Sequence, residues 1–503
     1  MSYKFSSLES TLLQDWIILP GKIPPGVGVD GIDSSSPLLK YESGGNSKLR
    51  LNIPIISAPM QSVTGSNLMK ALAAEGGLGV TYRSQTSSEE AEMVREVKDY
   101  KAGFVVPDVF SVDATIVEVD MRIKERGYST FPITDNGQAD GKLIGYITRK
   151  DFYYPKHKEL KVGDRMVPVE RITLAHLEDV LEYGQPSLNK ANEILIESHH
   201  GSLPIVDEEG RLRYVVFKKD IDDKLNNPRQ LLDSKRRLVC GAAIDTRDYK
   251  ERSKLLVDAE ADVLFIDTSQ AISDYVKDCL RYIKVNYPDT PVVGGNIITP
   301  EGFRFLVDNG ADAVKIGMGS GSICITQEQI RVGRGQATAI IDVSKERDRY
   351  LKKCGVYVPL VSDGGIITAS DMTVALALGA DSVMCGKYLA GADESSTEIM
   401  TRKSPDGLEE RVKPYWGEGS IKAREWSGAR YGHPGTDFEE GFETTVPYVG
   451  SLKPYILKAM TMVRDGIRKG GCRSIPDLHK NAKLERLSQT MLSVSRDKRS
   501  NIR

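Results

Sequence analysis

The stretch ADVLFIDTS, Ala261 to Ser269, runs through four consecutive apolar residues from Val263 to Ile266 before Asp267, Thr268 and Ser269 end it. A strand with one face in water alternates apolar and polar side chains. A strand covered on both faces reads instead as an unbroken apolar run, the pattern of a parallel sheet. Seven more runs have this character: IPIISAPM (53–60), GLGVTYR (77–83), RLVCGAAI (237–244), PVVGGN (291–296), DAVKIGMGSG (312–321), VPLVSDGG (358–365) and DSVMCGK (381–387). Amphipathic helical patterns separate many of them, for example NLMKALAAEGG with its glycine stop and DMTVALALGA. Eight strand–helix units close a (β/α)₈ TIM barrel, although a doubly wound sheet uses the same local pattern. The expected class is α/β.

Residues 105–227 break the rhythm. SVDATIVEVDMRIKERGYSTFPITDNGQADGKLIGYITRKDF is echoed by QPSLNKANEILIESHHGSLPIVDEEGRLRYVVFKKDI. Each copy passes through a helix, a small-residue turn, TFPIT or SLPIV, an acidic or glycine turn, a second strand, and a basic residue followed by Asp. This internal repeat is inserted between the second and third barrel strands. The expected division is therefore a barrel from 1–104 and 228–503 with a paired insert at 105–227. Beyond Asp393 the chain turns charged and glycine-rich, with weak periodicity, as expected of a lid or disordered insert over about 400–445.

Lys+Arg number 68 against 70 Asp+Glu, a formal net charge of −2. That balance argues against a dedicated nucleic-acid or membrane surface. The six cysteines, Cys240, Cys279, Cys324, Cys354, Cys385 and Cys472, form no CxxC pair. No disulfide framework or zinc site is expected, and a reducing interior is the natural compartment. The six histidines show no ligand spacing, and the pair His199-His200 reads as a solvated helix end. MSYKFSSLES lacks the apolar core of a signal peptide, and no apolar run reaches transmembrane length. A cytoplasmic protein is the expectation.

In a (β/α)₈ barrel the chemistry gathers at the carboxyl ends of the strands. Those ends carry Ser57, Asp267, Asn296, the loop GMGSGSICIT with Cys324, Asp363-Gly364-Gly365, and Gly386-Lys387. The last two end the seventh and eighth strands, where barrels commonly bind phosphate through backbone N–H groups. DGG is also an ordinary turn, so the evidence is the pair of features at these two strands. Cys324 becomes a nucleophile only where its environment favours the thiolate, and otherwise a free cysteine is a small apolar residue. Composition does not name the reaction.

GMGSGSICIT followed by GRGQATA resembles the catalytic loop of the IMP dehydrogenase family. So do SAPMQSVT at the first strand, SDGGI at the seventh and YWGEGS in the late insert, and the repeat resembles the tandem CBS (Bateman) module placed there in that family. The resemblance covers almost the whole chain. It implies oxidation of IMP to XMP with NAD: Cys324 attacks C2 of the purine, hydride passes to the nicotinamide, and the covalent thioimidate is then hydrolysed. Carried over residue by residue, Ser57, Met60, Ser322, Asp363, Gly364, Gly365, Gly386, Lys387, Tyr415, Gly417, Glu418 and Gly419 match substrate positions. Asp267, Thr268, Ser269, Asn296, Gly317, Met318 and Gly319 match cofactor positions. Arg430 and Tyr431, in SGARYG, match a water-activating pair on a mobile flap, while Thr326 and Glu440 match an alternative proton relay, with Glu440 also near the purine.

The resemblance further implies a homotetramer, a regulatory purine nucleotide at the CBS module, and K⁺ held by the carbonyls of Gly319, Gly321 and Cys324 and by a neighbour's C-terminus. Here SQTMLSVSRDKRSNIR lacks the acidic Glu-Gly-Gly segment that many members use, and Lys387 stands where the family varies. The rival reading is GMP reductase, which shares the barrel and cysteine loop but deaminates GMP with NADPH. YWGEGS, Arg430-Tyr431 and the long flap suit hydrolysis instead.

Overall fold

The computed structural model describes residues 9–99, 104–105, 108–126, 129–182, 185–198, 201–218, 227–404, 407–420, 422–423, 441–488 and 490–493. Contacts divide the chain into two compact units. One comprises Met1–Lys98, Arg229–Leu231 and Val239–Arg503; the other comprises Asp99–Pro228 and Leu232–Leu238.

The first unit is a (β/α)₈ barrel. Its strands are β1 Ile55–Ser57, β2 Gly79–Thr81, β3 Cys240–Ile244, β4 Val263–Asp267, β5 Val292–Ile297, β6 Ala313–Ile316, β7 Leu360–Asp363 and β8 Ser382–Cys385. All neighbours are parallel, in the order β1-β8-β7-β6-β5-β4-β3-β2. The ring closes between β1 and the start of β2, where Ser57 N donates to Leu78 O (2.9 Å) and Leu78 N to Ile55 O (3.0 Å). Ile56, Val80, Ala243, Phe265, Val293, Ala313, Val361 and Met384, one from each strand, belong to a single buried cluster. Gly241 makes room for the largest of them, since a Cβ there would fall 2.8 Å from the Phe265 ring.

Eight helices follow the strands: α1 Ser66–Ala74, α2 Ser87–Lys98, α3 Tyr249–Asp258, α4 Asp274–Asn286, α5 Pro300–Asp308, α6 Gln336–Cys354, α7 Ala369–Ala377 and α8 Leu452–Lys469. Their limits follow local chemistry. The Ser273 hydroxyl accepts from Val276 N to start α4, which buries Val276, Cys279, Leu280 and Ile283 along one stripe. Thr299 caps α5 in the same way, with Pro300 in the first turn.

The second unit leaves the barrel after α2. Its two copies each form a hairpin: Thr130–Thr134 with Leu143–Thr148, and Ser202–Val206 with Leu212–Phe217. Both hairpins are irregular at the same place, between Ile133 and Thr134 and between Ile205 and Val206. The copies bond reciprocally, Leu143 N to Gly210 O (3.0 Å) and Leu212 N to Gly141 O (2.9 Å). Leu143, Tyr146, Val206, Leu212 and Val215 form a shared apolar seam.

Among the described residues of the late charged segment, Met400–Lys403, Glu409–Trp416 and Glu443–Pro447 make a three-stranded antiparallel sheet, while residues 424–440 lie outside the described residues. All four residues of Met400–Lys403 are exposed, so no apolar alternation marks that strand. The buried Lys413 ammonium donates to Ala392 O (2.7 Å) and Ser395 O (3.2 Å), tying the sheet to the barrel chain after β8.

The insert separates α2 from β3, and buried ion pairs hold the barrel together across that gap. Arg252 on α3 bonds Glu90 on α2, both fully buried, and also Asp248 (2.7 Å) and Gln85 O (2.9 Å). Lys98 at the end of α2 reaches Asp262 at 2.7 Å. Arg252→Ala strands a buried carboxylate. The expected destabilisation is about 3–5 kcal/mol, measured as a lower urea midpoint for the barrel; an unchanged midpoint would contradict the role given to this pair.

Candidate active site

Parallel closure turns every strand's carboxyl end toward one face, and two adjoining lobes open there. The first is lined by Ala58, Met60, Ser320–Ser322, Asp363–Ile367, Met384, Gly386, Lys387 and Tyr415. The second is lined by Ser269, Asn296, Gly317–Gly321, Cys324, Thr326, Asp363 and Gly364. The lobes share Ser320, Gly321, Asp363 and Gly364.

Glycine is required where backbones meet. A Cβ at Gly317 would lie 1.9 Å from Asp363 O. Gly364 has φ +102, and a Cβ there would lie 2.5 Å from Ser320 Oγ. The cysteine loop after β6 and the DGG turn after β7 thus interlock at two glycines, with the small Ser320 hydroxyl between them. Gln336, at the start of α6, fixes the arrangement: its Nε2 donates to Ile316 O and Ser362 Oγ (2.9 Å each), and its Oε1 accepts from Ser320 Oγ (2.7 Å). From outside, Gln14 Nε2 donates to Gly365 O at 3.1 Å.

Cys324 follows the turn in which its N–H donates to Gly321 O (3.2 Å), and its Sγ lies 3.3 Å from Thr326 Oγ1. It also forms a bridge with Gly441, the first described residue after the late insert's gap. Tyr415 reaches the first lobe from the antiparallel sheet, its hydroxyl 3.4 Å from Ser322 Oγ. Burial pushes the Tyr415 phenol up to about 12, so the group is a neutral donor at ordinary pH.

Beneath the lobes lies a charged cluster. The Lys315 ammonium, fully buried, donates to Asp267 Oδ1 (2.7 Å) and Asp363 Oδ2 (2.9 Å). Burial alone would lower its proton affinity, but the two carboxylates raise it above the usual lysine value. Burial pushes Asp267 up, yet Lys315 and Arg83 pull it below the usual range. Asn296 Nδ2 donates to Asp363 Oδ2 (2.9 Å) and Gly317 O (2.8 Å). Its Oδ1 is buried without a partner among the described residues, an acceptor on the wall of the second lobe.

Of the residues expected at the site, Met60, Ser322, Asp363, Gly364, Gly365, Gly386, Lys387 and Tyr415 line the first lobe. Ser269, Asn296, Gly317, Met318, Gly319, Gly321, Cys324 and Thr326 line the second. Others belong to the scaffold rather than the walls. Ser57 is fully buried, its hydroxyl accepting from Val80 N and bonding Thr64. Thr268 Oγ1 donates to Gly295 O, and Glu418 accepts from Gln61 N at 2.7 Å while burial raises its pKa. Asp267, Gly417 and Gly419 are likewise off both walls. Arg430, Tyr431 and Glu440 lie outside the described residues. Lys315, Gln336, Ser320 and Gln14 were not anticipated. A lysine inside the apolar run DAVKIG was the available signal, since a buried cation implies carboxylate partners.

Comparison with known proteins agrees with this geometry. A family model described as the IMP dehydrogenase / GMP reductase domain matches residues 14–497. The inosine-5′-monophosphate dehydrogenase of Tritrichomonas foetus is 41% identical over 486 residues, covering 95% of this chain and 93% of that protein. The enzyme of the same name from Schizosaccharomyces pombe is 36% identical over 482 residues, covering 92% and 86%. Among solved structures, a cysteine-to-alanine variant of GMP reductase from Trypanosoma brucei with guanosine 5′-monophosphate superposes with a TM-score of 0.79. It is 27% identical, covering 97% of this chain and 98% of that one.

The six cysteines differ in access: Cys354 is exposed, Cys324 intermediate, and Cys240, Cys279, Cys385 and Cys472 buried. Burial pushes the Cys279 and Cys385 thiols far up and that of Cys472 to about 11. Brief iodoacetamide treatment of the native protein is therefore expected to label Cys324 and Cys354 and spare the other four. Peptide mass spectrometry reads the sites; equal labelling of Cys385 would contradict the geometry.

Proposed function

The chain belongs to the IMP dehydrogenase / GMP reductase family, and on that premise we propose that it oxidises IMP to XMP with NAD, a step of guanine nucleotide synthesis. The observation that carries this reading is Cys324 on the wall of one of two lobes that share Ser320, Gly321, Asp363 and Gly364. One lobe offers backbone amides and Lys387 to a phosphate; the other offers the orphaned Asn296 oxygen to an amide donor such as a carboxamide.

In this proposal the first lobe holds IMP. Gly364, Gly365, Gly386, Lys387, Ser322 and Tyr415 take its phosphate, and the Asp363 carboxylate accepts from its ribose hydroxyls. Ser269, Asn296 and Gly317–Gly319 hold the nicotinamide half of NAD, with Asp267 and Thr268 behind them. NAD supplies the hydride acceptor when bound there. Cys324 Sγ adds to purine C2, the thiol proton passes to solvent, and C2 loses hydride to leave a thioimidate. Water then adds at C2 and the C–S bond breaks, returning the thiol and releasing XMP.

The proposed water activator is Arg430 with Tyr431. A guanidinium with a pKa above ~12 is normally protonated, so this role needs a site closed to bulk water. Thr326 and Glu440 form the alternative relay, and Thr326 Oγ1 already lies 3.3 Å from the sulfur.

The second unit reads as a tandem CBS module that binds a regulatory purine nucleotide; its reciprocal hairpins support that reading. K⁺ held by the carbonyls of Gly319, Gly321 and Cys324 completes the proposal, with a cytoplasmic homotetramer. Gly321 O already accepts from Cys324 N and has one lone pair left for a cation. No helix among the described residues is long and apolar enough to cross a membrane. The similarity to GMP reductase structures makes deamination of GMP with NADPH the second reading, and parallel assays separate the two.

IMP plus NAD is expected to yield NADH, measured by absorbance, with no NADPH consumed in the presence of GMP; the reverse pattern would overturn the assignment. Cys324→Ser should slow hydride transfer by more than about a thousandfold. Arg430→Ala should leave hydride transfer largely intact but slow hydrolysis, so that intact-mass spectrometry detects a stalled adduct. Equal loss of both steps would count against the division of roles. Deleting 105–227 should spare turnover, and a folded but inactive deletion protein would show the module to be essential.

A further inference from the structure

Lys315 is fully buried in β6, inside the apolar run of a barrel strand. A cation there is tolerated only with charge partners and hydrogen bonds. It has both: Asp267 Oδ1 at 2.7 Å and Asp363 Oδ2 at 2.9 Å. The neighbouring strand is shaped to admit it, since a Cβ at Gly295 would fall 2.5 Å from Lys315 Cβ. The two carboxylates are unequal in what they can then do. Asp267 lies off both lobe walls, whereas Asp363 lines both lobes. At Asp363 the ammonium and the Asn296 amide both bond Oδ2, and among the described residues none donates to Oδ1.

We infer that Lys315 is a positioning residue for the sugar of the bound nucleotide: it clamps Asp363 through Oδ2 and leaves Oδ1 to accept ribose hydroxyls. Asp267 offsets the rest of the buried charge. The side chain lies on neither lobe wall and acts on the nucleotide through Asp363. Without it, the carboxylates of Asp267 and Asp363 repel each other with no cation between them. Asp363 then turns away from Asp267, and its fixed acceptor geometry for hydroxyls disappears. This inference rests on the reading of the first lobe as the IMP site.

The test is calorimetric binding of IMP and of 2′,3′-dideoxy-IMP to the full chain without cofactor. The wild-type protein should prefer IMP by at least about tenfold, because a site built to bond a hydroxyl rejects a ligand lacking it. Lys315→Met should weaken IMP by a similar factor while changing the dideoxy analogue less than about twofold, so that the preference collapses. A general electrostatic or structural effect would weaken both ligands equally, and that result overturns the inference, as does an unchanged preference. Where Lys315→Met fails to fold, Lys315→Gln is read in the same way. A wild-type preference near one overturns the inference without any variant. Failure of the wild-type protein to bind IMP would instead sink the functional reading beneath it.

Discussion

Closure of the ring between β1 and the start of β2 is the constraint from which the site follows. Two backbone hydrogen bonds at Leu78 join the first strand to the second. Once the ring is shut, eight strands of one polarity must present their carboxyl ends on one face. Residues far apart in sequence, such as Asp267, Asn296, Cys324 and Asp363, are then brought to the same small region by topology alone. The buried ion pairs Arg252–Glu90 and Lys98–Asp262 serve the same end, joining α2 to the chain that resumes after the insert.

The second requirement is backbone proximity. The cysteine loop and the DGG turn touch main chain to main chain at Gly317 and Gly364, and side chains from outside the loops hold them there. Gln336 and Gln14 do so with neutral amides, which fix geometry without adding charge to the lobes. Below them Lys315 lies between two carboxylates, one of which, Asp363, also reaches the lobe walls. Such an arrangement gives a binding surface of amides above and a fixed electrostatic foundation beneath.

Much of this was legible in the sequence, for identifiable reasons. Both-face burial writes itself as unbroken apolar runs, so ADVLFIDTS and its seven counterparts revealed the strands, and the strand ends revealed most wall residues. The repeat was legible because both copies keep the same order of features. The strand Met400–Lys403 of the antiparallel sheet was not, since a strand wet on both faces has no apolar period. Ser57 and Glu418 lie off both lobe walls, a placement that no motif shows, since a motif records where a residue lies along the chain but not which way its side chain turns. Gln336 and Gln14 escaped notice because their partners, backbone carbonyls and side chains alike, are distant in sequence and leave no local pattern.

The account's central claim is a transient bond between one sulfur and one purine carbon. The most direct measurement is a crystal structure of the chain with IMP. The account predicts the phosphate on the amides of Gly364, Gly365 and Gly386, the ribose on Asp363, and purine C2 within bonding reach of Cys324 Sγ. A nucleotide bound in the same lobe with its ring turned away from that sulfur would contradict it.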